Sequence, residues 1–207
     1  MKNQPSRYVR FARQVLGIEP QSAPKPQPAH SPKPWPLQSG EPWLCHKAIA
    51  QLEDLVVPGT RILEWGSGGS TIFFAKRGAK IHCVEHDPEW ARLVKAELVH
   101  RKLGGQVNIH QIDLGPDYVN IVDQLSGDFD LIVVDGRLRV ECVKRSNNRL
   151  VPGGWILLDD ADRENYWPAY QELAGWRTIV LKGSRTNSEE QIQSTMWQRP
   201  DQTGKSA

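Results

Sequence analysis

Disulfide staples and zinc knuckles are outside what this sequence can build. Its three cysteines, Cys45, Cys83 and Cys142, are odd in number and show no C-x-x-C spacing, so they read as small buried side chains in a reducing compartment. No apolar run approaches the ~18 residues of a membrane helix. The N-terminus also lacks the apolar core of a secretory signal, and a cytoplasmic location is the default expectation. The net charge is only +2 over 207 residues, and its positive excess is local. Residues 1–39 carry Lys2, Arg7, Arg10, Arg13, Lys25 and Lys33 against Glu19 alone. The remainder is slightly acidic, which excludes an obvious nucleic-acid face on the body of the protein.

What is present divides into four stretches. Residues 1–19 place Tyr8, Phe11, Ala12, Val15 and Leu16 at helical spacing between arginines, predicting a short basic amphipathic helix. It docks on the domain or frays; residues 7–16 meeting an anionic or membrane surface is the alternative. Residues 20–40 hold prolines at 24, 26, 28, 32, 34 and 36 and read as an extended linker. Residues 41–199 form one domain long enough to bury a sizeable core, and residues 200–207 read as a disordered tail.

Within the domain, strand-like and helix-like runs alternate. Strands are expected at Arg61–Trp65, Lys80–Glu85, Val107–Ile112, Asp130–Val134 and Trp155–Leu158. Helices are expected near 42–56, 70–77, 88–103, 117–125, 139–150 and 165–173. Asp87, Pro88 and Gly104 supply the N-cap, first position and end signal of the third helix. Repeated units of this kind give an α/β fold, a doubly wound, mostly parallel sheet with ligands beyond the carboxyl ends of its strands. Two further strands, 176–181 and 192–198, are joined by a polar loop without a helix and must run antiparallel. The sheet is therefore seven-stranded with an antiparallel C-terminal β-hairpin.

The loop after the first strand carries the chemistry. Arg61-Ile62-Leu63-Glu64-Trp65-Gly66-Ser67-Gly68-Gly69-Ser70-Thr71 is an apolar run that breaks into small residues and then enters a helix. Such a turn lets backbone N–H groups approach a ligand closely. Fourteen residues after Thr71, Glu85 ends the next apolar run, where an acid can accept hydrogen bonds from ribose hydroxyls. Together they predict a cofactor with an adenosine part. The third glycine of a dinucleotide fingerprint would fall at Thr71, and a β-branched residue there argues against NAD-type packing.

The string E-x-G-S-G-x-S-T resembles motif I of the class I (Rossmann-like) S-adenosylmethionine-dependent methyltransferase superfamily. The resemblance extends over residues 41–199, through Leu150-Val151-Pro152-Gly153-Gly154 before the fifth strand and through the final hairpin. It implies S-adenosyl-L-methionine as cofactor, held by Glu64, Gly66, Ser67, Gly68, Gly69, Glu85, Asp113 and Asp135. Asp113 falls where the family often binds the adenine amino group, though it could instead cap the next helix. Asp135 lies at the motif IV position, at the mouth of the active site.

Methyl transfer needs alignment and, for a nucleophile of high pKa, removal of a proton. Asp135 and Asp159 are the catalytic candidates. In catechol-type members, acidic or amide ligands at these strand ends hold Mg²⁺. Here Gly136-Arg137-Leu138 follows Asp135 where those enzymes offer a lysine, and Asp159-Asp160 replaces their Asp-Asn. The reading is therefore that these aspartates cap helices or pair with arginine, with no metal, and Mg²⁺ held by Asp135, Asp159 and Asp160 is the alternative. Arg137, Arg139, Arg163, Lys182 and Arg185 could ring the mouth, which would suit an anionic small-molecule substrate unless the aspartates neutralise them. The resulting expectation is O-methylation of a small-molecule or sugar-like metabolite. Two rivals stand beside it: an NAD(P)-dependent oxidoreductase, and a non-catalytic module that binds a partner through its basic, proline-rich arm.

Overall fold

The structure, a computed structural model, describes residues 36–201. The expected N-terminal helix, most of the proline-rich linker and the last six residues of the tail lie outside the described residues. The seven-stranded sheet runs in the order β3-β2-β1-β4-β5-β7-β6, with β1 at Arg61–Trp65, β2 at Lys80–Glu85, β3 at Val107–Gln111, β4 at Phe129–Val134, β5 at Leu150–Leu158, β6 at Arg177–Ser184 and β7 at Gln191–Gln198. β1 to β5 pair in parallel, while β7 runs antiparallel to both β5 and β6. This is the doubly wound sheet and terminal hairpin that the sequence predicts.

Both faces are covered because the strands present apolar side chains alternately to each side. Ile62, Ile81, Leu131, Val133 and Leu157 meet α1 (Pro36–Ser39), α2 (His46–Leu55), α3 (Gly69–Lys76) and α4 (Pro88–His100). Leu63, Val84, Ile132, Val134 and Ile156 meet α5 (Pro116–Asn120), α6 (Arg139–Ser146) and α7 (Trp167–Glu172). All three cysteines are buried and free. Among the described residues, no helix is long and apolar enough to cross a membrane.

Several boundaries differ from the sequence reading, each for a visible reason. The last residues of the expected linker join the body: Pro36–Ser39 makes a turn of helix with Leu37 buried, and Arg101 Nη2 donates to the Gln38 carbonyl. The helix expected from 42 begins at His46, because residues 42–45 bend and dock on the hairpin instead. There Thr186 N–H donates to the Leu44 carbonyl at 3.0 Å, and Cys45 bridges Arg185. α4 starts as expected, with Asp87 Oδ1 accepting from Glu89 and Trp90 N–H at 2.9 and 3.0 Å. It stops earlier than Gly104 would set, since Lys102 itself takes the left-handed conformation (φ 59°). Leu103 N–H then closes on the Leu98 carbonyl at 2.8 Å, a Schellman-type ending. β5 starts at Leu150 rather than Trp155, with Pro152-Gly153-Gly154 absorbed as an irregularity where its pairing shifts between Phe129 and Leu131.

Candidate cofactor and acceptor site

Strand order reverses between β1 and β4, and their carboxyl ends open a crevice of the kind that takes ligands in such sheets. Two glycines meet across it. Gly66 has φ +94°, and a Cβ there would lie 2.9 Å from Gly136 Cα. A Cβ on Gly136 would lie 2.3 Å from Tyr118 Oη and 2.9 Å from Gly66 N, so no other residue fits at either position. Gly68, by contrast, faces open space, since its Cβ would meet only Trp90 at 3.8 Å. That leaves a cradle above the loop at the N-terminus of α3. Trp90 Nε1 steadies the loop from outside by donating to the Ser67 carbonyl at 2.7 Å.

Glu64 lies beneath this loop with no exposed surface. Its carboxylate accepts from Ser70 Oγ and, at 2.6 Å, from Thr71 Oγ1, while Thr71 Oγ1 accepts from Gly68 N–H at 3.0 Å. Burial raises Glu64 to about 7, against the pull of the Ser70 and Thr71 hydroxyls. The β-branched residue in the third-glycine position thus has work of its own, tying the loop to the strand below.

Glu85 sits at the end of β2, also buried. Its Oε2 accepts from Ser67 N–H at 3.0 Å and Ser67 Oγ at 2.9 Å. Its Oε1 accepts from His86 and Asp87 N–H at 2.8 and 2.9 Å and faces His86 Nδ1 at 2.9 Å. Burial alone would raise this acid, but the bonds from His86, Asp87 and Ser67 outweigh it and hold Glu85 at about 2. It is a fixed anion beside the glycine loop.

The other side of the crevice is built from charge. Arg139 Nη2 pairs with Asp135 Oδ1 at 2.9 Å, and Arg185 Nη2 pairs with Asp160 Oδ1 at 2.9 Å. Arg163 Nη2 meets Asp160 Oδ2 at 2.5 Å. Asp159 accepts from Ser194 Oγ at 2.7 Å through Oδ1, while its Oδ2 is buried with no hydrogen-bond partner. Burial raises Asp159 to about 8, with the charges of Asp135 and Asp160 adding to it. Asp135 keeps 31% of its side chain exposed. Its pKa is also raised, first by burial, with Arg139 opposing. A separate groove of about 330 Å³, lined by Arg61, Lys80, His82 and Asn108 among others, lies at the amino ends of the strands, away from this chemistry.

Comparison with known proteins agrees with this geometry. Residues 63–161 match a family of methyltransferase domains. A methyltransferase-like protein from Silicibacter pomeroyi is 25% identical with a TM-score of 0.60, over 79% of this chain and 92% of that one. Cofactor-bound Rv0187 from MTB superimposes over 96% of this chain and 100% of its own, with a TM-score of 0.62 at 17% identity. The O-methyltransferase TomG from Streptomyces achromogenes, involved in tomaymycin synthesis and solved with S-adenosylmethionine, has a TM-score of 0.59 at 16% identity, over 72% of this chain and 77% of that one. No curated protein matches the sequence.

Residues 63–161 are similar to methyltransferase domains, and the sheet order and terminal hairpin are the fold of the class I S-adenosylmethionine-dependent methyltransferase superfamily. Gly66, Ser67, Gly68, Gly69 and Glu85 come together around one crevice, and Asp135 borders it. Glu64 acts from below, through Ser70 and Thr71. Asp113 lies apart at the exposed end of β3, where its carboxylate accepts from Gln111 Nε2 at 3.2 Å. It does not cap α5, whose N-cap is Gly115. Nor do Asp135, Asp159 or Asp160 cap a helix, since arginine and serine take their oxygens. Trp65 packs inside, its Nε1 donating to the Tyr118 carbonyl at 2.9 Å. Tyr118, Gly136 and Trp90 were not among the sequence candidates. Only Gly136, directly after the motif IV aspartate, carried a readable signal.

Proposed function

We propose that the protein is an S-adenosylmethionine-dependent O-methyltransferase acting on a hydroxyl of a small-molecule or sugar-like metabolite. The observation that carries the reading is the junction of Gly66 with Gly136, which opens a backbone cradle at α3 directly beside the fixed anion of Glu85. Gly66 to Gly69 would hold the methionine part, and Glu85 would take the ribose hydroxyls, with Ser67 Oγ and the His86 ring turning from its oxygens to make room. Asp113, at the exposed end of β3, is the candidate for the adenine amino group. The bound cofactor supplies an activated methyl on a sulfonium.

The chain's own residues then have two tasks. Asp135, the most exposed of the three aspartates, would meet the acceptor hydroxyl and take the proton it gives up. Asp159, deeper and pushed toward its neutral form, orients Ser194 and keeps a second negative charge away from Asp135. Arg139, Arg163 and Arg185 are each paired with acids. This supports a neutral hydroxyl acceptor over a strongly anionic one.

Calorimetric titration with S-adenosylmethionine, with NADH in parallel, tests the reading. Micromolar binding of the first compound, lost in Glu85→Ala, is the expected result, followed by an acceptor screen in which Asp135→Asn lowers kcat. A folded protein that binds NADH and not S-adenosylmethionine would overturn it.

A further inference from the structure

The carboxyl ends of β4 and β5 bring Asp135, Asp159 and Asp160 together, and the chain itself supplies the cations that hold them. Arg139 spans two of the acids, with Nη2 at 2.9 Å from Asp135 Oδ1 and Nη1 at 3.7 Å from Asp160 Oδ2. Arg185 spans the other pair, with Nη2 at 2.9 Å from Asp160 Oδ1 and Nη1 at 4.0 Å from Asp159 Oδ2. Both guanidiniums are built in rather than draped over the surface, their side chains 7% and 11% exposed. Arg139 also donates to the carbonyls of Gly136, Asp135 and Asp159. Arg185 donates to the Trp43 carbonyl at 3.0 Å and pairs with Glu190 at 3.1 Å.

The resemblance to catechol-type methyltransferases implies Mg²⁺ at these strand ends, and the residues here do not fit such an ion. Mg²⁺ demands near-octahedral oxygen ligands at roughly 2.0–2.1 Å. The oxygens of Asp135 and Asp160 that would face it already take charge-assisted hydrogen bonds, and two fixed positive charges would stand in its coordination sphere. Among the described residues, no group of three His, Cys, Asp or Glu side chains is arranged to hold a metal.

We propose that Arg139 and Arg185 are the resident cations of this mouth, spacing and neutralising its three aspartates in the position a divalent ion would otherwise take. Methyl transfer by this chain then proceeds without a metal. The inference rests on reading this mouth as the acceptor side. Its test needs neither S-adenosylmethionine nor an acceptor, so it can fail or succeed independently of that reading.

The test is a Mn²⁺ titration followed by electron paramagnetic resonance, on the full chain, on Asp160→Asn and on the double variant Arg139→Gln/Arg185→Gln. In the unaltered protein the Mn²⁺ signal should remain that of the free ion up to millimolar concentration. The double variant, its carboxylates released, should gain one saturable site at least about tenfold tighter than anything in the unaltered protein, and Mn²⁺ should raise its melting temperature. A saturable site in the unaltered protein that Asp160→Asn removes would overturn the proposal. So would a folded double variant that gains no site. If the double variant does not fold, the comparison of the unaltered protein with Asp160→Asn decides alone.

Discussion

On the β1–β2 side of the crevice, position is set by backbone: a glycine at φ +94°, a neighbouring strand end, and hydrogen bonds between residues no more than 23 apart in sequence. On the β4–β5 side, position is set by charge. Arg185 alone joins three segments, at Trp43, at Asp159–Asp160 and in its own hairpin loop, where it meets Glu190. The first arrangement gives a rigid cradle whose only essential charge is Glu85. The second gives a mouth whose shape depends on every ion keeping its partner, because a buried charge left alone costs far more than the pair contributes.

Removing one acid from the charged side should therefore have the largest effect on stability. Asp160→Asn takes from Arg139 and Arg185, both largely buried, the one acid they share, and is expected to cost about 3–5 kcal/mol in chemical denaturation, while leaving S-adenosylmethionine affinity nearly unchanged in protein that remains folded. Comparable losses of affinity in Asp160→Asn and Glu85→Ala would break the separation between the two sides. Gly136→Ala attacks the one place where they touch. Its Cβ, 2.3 Å from Tyr118 Oη, should cost about 1–3 kcal/mol through overpacking and weaken cofactor binding as well. Glu85→Ala sharpens the contrast from the other side. Loss of charge-assisted bonds to the ribose should weaken S-adenosylmethionine about tenfold to a hundredfold by calorimetry, and loss of the bonds from Ser67, His86 and Asp87 should lower the melting temperature as well.

The same division explains what could be read from the sequence. The fold was legible because strand and helix periods, Asp87-Pro88 and the helix-free hairpin are all local. The cradle was legible because Gly66 to Gly69 and Glu85 lie within one β–α–β unit. The charged mouth was legible in its members, since Arg139, Arg163 and Arg185 were expected beside the aspartates, but not in its pairing, because nothing within the sequence around Asp160 says that Arg185, 25 residues on, will close on it. Residues 42–45 read as helix because Trp43, Leu44 and Ala48 are helically spaced, yet their backbone is claimed by Arg185 and Thr186. Glu64 showed the motif correctly, but its place below the loop depends on side-chain direction along β1, where Ser70 and Thr71 reach it from α3.

Glu64 also gives the smallest and most specific effect. Its carboxyl rises from 4.5 in the unfolded chain to about 7 in the folded protein, so the native state holds a proton that the unfolded state has released between those values. A raised acid contributes stability in full below the unfolded pKa and loses it as pH climbs through the folded one. Glu85, held at about 2, has the opposite sign and acts only below pH 4.5, outside this window. Asp159 shares the direction of Glu64, but it is present in both the parent and a Glu64→Gln variant and cancels between them. Glu64→Gln keeps an oxygen for Ser70 or Thr71 and cannot ionise. The stability difference between parent and variant should therefore shift in favour of the variant by on the order of 1 kcal/mol per pH unit between about pH 5 and 7, and level off above that. A flat difference across this range, in denaturation curves taken at each pH, would mean that Glu64 is ionised beneath the loop. The cradle would then rest on a buried charge after all, as the opposite side of the crevice does.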